Sequence, residues 1–194
     1  MASTSTFSHL FLTKGNSGAD HNSGVHDIQF TQPGSGMIKW NTMDYKEPII
    51  STELGSHKAR LLYQMNWTRV IGHFLGMCNF IDYSPDQIVT AVRAATGWPM
   101  SVYRLFKTVE RSITLCRIFN LREGFTDKDD RLPKRFEDAM KEGAIKGIGI
   151  LPDKLEETKK TYYQMLGWDE KGIPTAARLA ELDIEWAKAY LPDN

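Results

Sequence analysis

SVYRLFKTVERSITLCRIF, from Ser101 to Phe119, decides the fold class. Val102, Leu105, Phe106, Val109, Ile113, Cys116 and Phe119 recur at three- and four-residue steps, the period of one helix face. Ser101 stands directly before them, and its hydroxyl suits an N-cap. The polar residues fill the remaining positions, so the pattern is an amphipathic helix. No alternating strand-like run longer than four residues occurs anywhere in the chain. Strands alternate with a period of two, so a sheet has no foothold here.

The flanking segments repeat the helical reading. Upstream, from Ser51, Leu54, Leu61, Leu62, Met65, Val70, Phe74 and Leu75 recur at roughly helical spacing, and Gly76 suits the C-cap. The next element starts on Ser84, with Pro85 after it and Gln87 three residues on, which is a capping box. Ile88, Val89 and Val92 form its apolar stripe, and Gly97 closes it. Downstream, a helix begins near Asp153, with Glu156 as the second half of a capping box. Leu155, Tyr162 and Leu166 line its stripe, and Gly167 ends it. A last helix follows Pro174 and Thr175 and carries Leu179, Leu182 and Trp186. Residues 1–47, rich in Ser, Thr, Gly, Asn and Asp, keep no period and read as irregular chain packing on the domain or on a partner. The expectation is an all-α domain over 48–194 with an extended, irregular N-terminal segment and no internal repeat.

Composition narrows the function. Lys plus Arg equals Asp plus Glu, at 24 each. Zero net charge argues against nucleic acid as a partner, since such domains are usually basic. No run of 18 apolar residues is present, which excludes a membrane-spanning helix. MASTSTFSHLFLTKGNSG at the N-terminus has neither a basic start nor a long apolar core, so a secretory signal is not expected. Two cysteines make no disulfide framework, and a reducing cytoplasmic setting follows.

Between the long helix and the next lies NLREGFTDKDDRLPKRF, Asn120 to Phe136. It is dense in charge yet keeps Leu121, Phe125, Leu132 and Phe136. Gly124 and Pro133 exclude a continuous helix. It reads as a helix end followed by an ordered charged turn, braced by pairs among Arg122, Glu123, Asp129, Asp130 and Arg131. An exposed pair contributes only ~0–1 kcal/mol, so a stability role is modest.

These residues carry a resemblance. NLREGFT, then DD, then LPKRF, is similar to the C-terminal signature of the tungsten-containing aldehyde ferredoxin oxidoreductase family. YYQMLGWDEKGIPTAARLAEL, from Tyr162 to Leu182, resembles that family's tail in its YY, GWD and GIPT. AATGW around Gly97 and LGMCNF from Leu75 to Phe80 follow in the family's order. GADH, Gly18 to His21, fits more loosely. The resemblance runs over roughly residues 13 to 186, and only the C-terminal helical part of the family is represented.

The resemblance implies an enzyme that holds tungsten or molybdenum on pterin cofactors beside one [4Fe–4S] cluster. It implies oxidation of aldehydes to carboxylic acids with ferredoxin as electron acceptor. By position Cys78 is the cluster cysteine supplied by this domain, set at a helix end where free backbone amides are expected. His21 maps to a histidine beside the metal, suited to donating a proton or hydrogen bond. Met77 and Asn79 flank the cysteine on the cofactor side. Three positions depart from the family. Where it carries a pterin-binding aspartate, this chain has His73. Where it carries an arginine and a lysine around the histidine, this chain has Ser17 and Ser23. An imidazole does not accept pterin N–H groups as a carboxylate does, and the lost cations weaken contacts to pterin phosphates.

A [4Fe–4S] cluster takes about four protein ligands, and this chain has Cys78 and Cys116 only. Cys116 lies in the helix stripe and reads as core. The chain is therefore expected to hold the cofactors only with a partner carrying the missing N-terminal domains. Further partners are ferredoxin and a small aldehyde or acyl substrate, with a homo-oligomer left open. Blander readings stand beside these. Cys78 also reads as a small buried hydrophobe, His21 as a solvated loop histidine, and His73 as a helix-surface or satisfied core histidine. Two alternatives follow: a tungsten subunit of a benzoyl-CoA-reductase type, or a helical interaction module that has lost the cofactor.

Overall fold

The computed structural model describes residues 30–31, 48–50, 52–78, 81, 83–143 and 146–192. Among them the chain forms α1 (Ser56–Phe74), α2 (Pro85–Thr96), α3 (Val102–Arg122), α4 (Pro152–Met165) and α5 (Ala176–Glu181). Two 3-10 turns, Lys134–Phe136 and Glu185–Tyr190, complete the regular structure. No strand occurs among the described residues. The β pairing there is one isolated bridge between Trp168 and Pro174. The all-α expectation holds.

α2 forms as its sequence dictates. The Ser84 hydroxyl accepts the Gln87 amide at 3.2 Å, and the Gln87 side chain accepts the Ser84 amide at 2.8 Å. Gly97 closes the helix at φ 72, a left-handed conformation that favours glycine. α3 starts on Ser101, whose hydroxyl accepts the Arg104 amide at 3.1 Å. α1 starts five residues later than Ser51, on Gly55, and has no local side-chain cap. Its cap comes from a distant element: the Gly55 amide donates to Thr158 Oγ1 of α4 at 2.7 Å.

α1 packs mainly on α4 and also on α3. The main core joins Ala59, Leu62 and Ile71 of α1, Ile88 and Val89 of α2, and Leu105, Val109 and Ile113 of α3 to Tyr162, Tyr163, Leu166 and Trp168. Burying such an aliphatic side chain stabilises the fold by about 1.5–3 kcal/mol. A second cluster unites Ile118 with Leu179, Leu182, Ile184 and Ala187 of the C-terminal segment. A third, under the charged turn, holds Leu132 and Ile150.

Several details differ from expectation. The α3 stripe holds to Ile113 and then rotates. Beyond it Thr114, Arg117, Ile118 and Leu121 are buried, while Cys116 and Phe119 are exposed. The helix leaves one set of neighbours and meets another, the C-terminal segment. Cys116 is therefore a surface residue and no part of the core. α4 starts at Pro152 with Leu151 as N-cap and no side-chain cap. Asp153 already lies in its first turn, so the Asp153–Glu156 box does not form. The last helix breaks after Glu181: Asp183 adopts φ 56, a 3-10 turn follows, and Trp186 is 62% exposed.

Candidate functional site

Cys78 follows the C-terminus of α1. Leu75 caps the helix and Gly76, at φ 63, turns the chain out of it. The amides of Leu75, Gly76 and Met77 are taken by the carbonyls of Ile71, His73 and Gly72. The expectation of free amides at this helix end is thus corrected. A helix C-terminus presents carbonyls and the negative end of the dipole, and those three N–H groups are already used. The Cys78 thiol is free and exposed, which removes the reading of a small buried hydrophobe. His73 is exposed on the last turn of α1, and Met77 is half-buried against the main core. Ser17, His21, Ser23 and Asn79 lie outside the described residues.

Exposed apolar side chains stand on both sides of Cys78 in the chain. Phe74, Leu75, Ile81 and Tyr83 are all exposed, within five residues of chain on either side of it. The Ile81 amide donates to the Cys78 carbonyl at 3.2 Å. Large apolar side chains left exposed near one another in the chain suit a surface that something else covers.

Two buried charge clusters stand inside the domain. The first centres on Glu110, 1% exposed in α3. Its carboxylate accepts Tyr63 Oη at 2.7 Å and Lys107 Nζ at 2.7 Å, with Arg178 Nη2 at 3.2 Å. Glu181 backs it, pairing with both Lys107 and Arg178 at 2.6 Å. Burial alone would raise the Glu110 pKa; bonds from Lys107 and Tyr63 and the charge of Arg178 outweigh it and hold it low. Burial works against the Lys107 ammonium, but its bonds to Glu110 and Glu181 hold its pKa above the ordinary value. Burial, reinforced by the Glu110 carboxylate, pushes the Tyr63 phenol far up.

The second centres on Arg117, 1% exposed. Its Nη1 pairs with Asp130 at 2.6 Å, and its Nε donates to the Gly172 carbonyl at 2.9 Å. The Tyr163 and Trp168 rings flank the guanidinium, each centroid 5.5 Å away. Tyr163 also donates its hydroxyl to Asp130. Burial first, and the Asp130 carboxylate next, push the Tyr163 phenol far above its usual range. The charged turn is therefore braced, but chiefly by an arginine upstream of it. Arg122 and Glu123 pair only with each other at the surface, and Asp129 accepts the Thr126 amide.

These clusters are structural, and residue-type patterning alone passed over them. The signal was nevertheless present. Arg117 stands four residues after Ile113, on the core face, and Glu110 stands seven before Arg117. A charge at such a position demands a partner when buried.

The donor set tests the fit of an iron–sulfur cluster. Among the described residues no three His, Cys, Asp or Glu side chains converge as a metal site. The exposed Cys78 thiol fits as a single ligand to a cluster completed by another polypeptide; among the described residues a whole cluster does not fit. His73 offers an imidazole in place of a carboxylate and does not reproduce a pterin-binding aspartate. No helix among the described residues is long and apolar enough to cross a membrane.

Comparison with known proteins follows the same line. The family model described as aldehyde ferredoxin oxidoreductase, domains 2 and 3, matches residues 8–184. A curated relative, the WOR-like subunit of an aliphatic sulfonate oxidoreductase from Pyrococcus furiosus, is 32% identical over 119 residues. That match takes in 58% of this chain and 19% of the relative. Among solved structures, the active-site complex of benzoyl coenzyme A reductase with 1,5-dienoyl-CoA shares the fold at a TM-score of 0.62 and 20% identity. It covers 86% of this chain and 26% of that one. The chain thus spans about a fifth to a quarter of the relatives it matches.

Proposed function

Because this chain belongs to the aldehyde ferredoxin oxidoreductase family, we propose that it is the C-terminal part of a tungstopterin, [4Fe–4S] oxidoreductase, active only with a chain carrying the remaining domains. One observation carries the reading: a free, exposed Cys78 beside exposed apolar side chains, on a chain whose described residues bring no three metal-ligating side chains together. A shared cluster needs a thiol at the surface, and a covering domain needs an apolar face.

When bound, the metallopterin supplies two-electron redox chemistry and the cluster a one-electron exit. Aldehyde oxidation to a carboxylate takes its second oxygen from water and releases two electrons and three protons. The electrons go to ferredoxin. On this chain His21 is the group suited to hold or pass a proton near the reacting oxygen. Ser17, Ser23, His73, Met77 and Asn79 would border the pterin. The imidazole at His73 and the hydroxyls at Ser17 and Ser23 favour a substrate, aldehyde or acyl, different from that of members with charged residues there. The setting is cytoplasmic.

Co-expression with a chain carrying the missing domains tests the proposal. The purified complex should contain iron and tungsten or molybdenum. A stable complex with none of these metals would refute it and leave the helical interaction module.

A further inference from the structure

We infer that Arg117 is a latch joining two loops distant in sequence, the charged turn at 124–136 and the turn at 168–174, so that they open and close as one unit. Neither loop has a ladder of its own. The charged turn bends through short backbone bonds, Asp129 to Thr126 and Asp130 to Asp127. The second loop turns around Asp169, whose side chain accepts the Lys171 and Ile173 amides at 2.9 Å. Elements closed by such short-range bonds ordinarily open independently.

The guanidinium removes that independence. Its three nitrogens are divided between the loops: Nη1 holds Asp130, while Nε and Nη2 reach the carbonyls of Gly172 and Lys171 at 2.9 and 3.5 Å. Its planar fork makes both sets of contacts from one orientation. The two loops also share its desolvation. Opening the 168–174 turn withdraws Trp168 from one ring face and exposes the arginine. Opening the charged turn withdraws its counter-charge and leaves a buried cation unpaired, which is strongly unfavourable. Gly172 is adapted to this approach. It stands at φ +71, and a Cβ there would lie 2.5 Å from Arg117 Nη2 and 2.9 Å from the Tyr163 ring. Other contacts anchor the charged turn alone: Lys159 Nζ donates to the Asp127 carbonyl at 3.1 Å, and Leu132 packs beneath it.

The latch rests on the fold and not on the cofactor reading. Hydrogen exchange on the full chain tests it. Asp130→Asn touches only the charged turn directly. It should speed exchange by about 10- to 100-fold, the equivalent of one charged hydrogen bond, at the Asp130 amide and equally at the Asp169 and Thr175 amides. Lys159→Met loosens the charged turn without touching Arg117 and, because the loops open as one unit, should likewise speed exchange at the Asp169 and Thr175 amides. If D130N leaves the 168–175 amides at wild-type rates, the latch is overturned. Should D130N lose its helical circular dichroism, Lys159→Met carries the same test from the charged turn alone. Faster exchange at both loops then supports the latch, and faster exchange in the charged turn alone overturns it.

Discussion

Replacing Glu110 by Gln isolates the contribution of the buried charge cluster. The carboxylate is 1% exposed and faces three donors: Tyr63, Lys107 and Arg178. Removing one partner of a buried pair costs about 3–5 kcal/mol, because the remaining charge stays desolvated. Here two things reduce that figure. Glu181 still reaches Lys107 and Arg178 at 2.6 Å, and the glutamine carbonyl still accepts one hydrogen bond. The expected loss is therefore about 2–4 kcal/mol. In urea, with a slope of about 2 kcal/mol/M, the midpoint should fall by roughly 1–2 M. Glu181→Gln is the control. Its side chain is 40% exposed, and it should cost about 1 kcal/mol or less. The pH dependence has a definite sign. The folded-state pKa of Glu110 is held low, so its contribution is present above the ordinary glutamate value, about 4.3, and is lost as pH falls through the folded value. E110Q should flatten the acid limb of the stability curve. Equal costs for E110Q and E181Q, or an unchanged acid limb, would refute the reasoning.

The raised phenols of Tyr63 and Tyr163 give a prediction at the other end of the pH scale. A raised value keeps the neutral form in the fold, so stability is present below about pH 10 and lost above it; an absorbance titration should show both ionising only as the chain unfolds. Cys78 and Cys116 are both exposed, so a maleimide should label both without denaturant, Cys116 the more slowly because burial pushes its thiol up; in the complex with the covering chain only Cys78 should become protected. Ser84→Ala removes the hydroxyl that accepts the Gln87 amide in the α2 capping box and should cost about 1 kcal/mol in urea unfolding.

How far the sequence reaches is clearest along α3. Its first three turns followed the apolar stripe because they face one core. The stripe misplaced Cys116 and Phe119 because the same helix then meets Leu179, Leu182 and Ile184, whose position is a tertiary fact. α2 was legible in full, since its cap, its stripe and Gly97 are local chemistry. The start of α1 was not, because the cap at Gly55 comes from Thr158, 103 residues away. The box at Asp153 failed because Pro152 begins the helix a residue earlier. At the site, the family motifs located Cys78, but not its exposure or the used amides before it. Arg117 was hidden as one charge among many until Asp130 and Gly172 closed on it.

The most direct measurement is cluster iron and the electron paramagnetic resonance of the reduced complex, compared between Cys78→Ser and Cys116→Ser. The account predicts that C116S retains wild-type iron and spectrum, while C78S loses the cluster or shows an altered signal with the complex still assembled. Wild-type iron and an unchanged spectrum in C78S would contradict it.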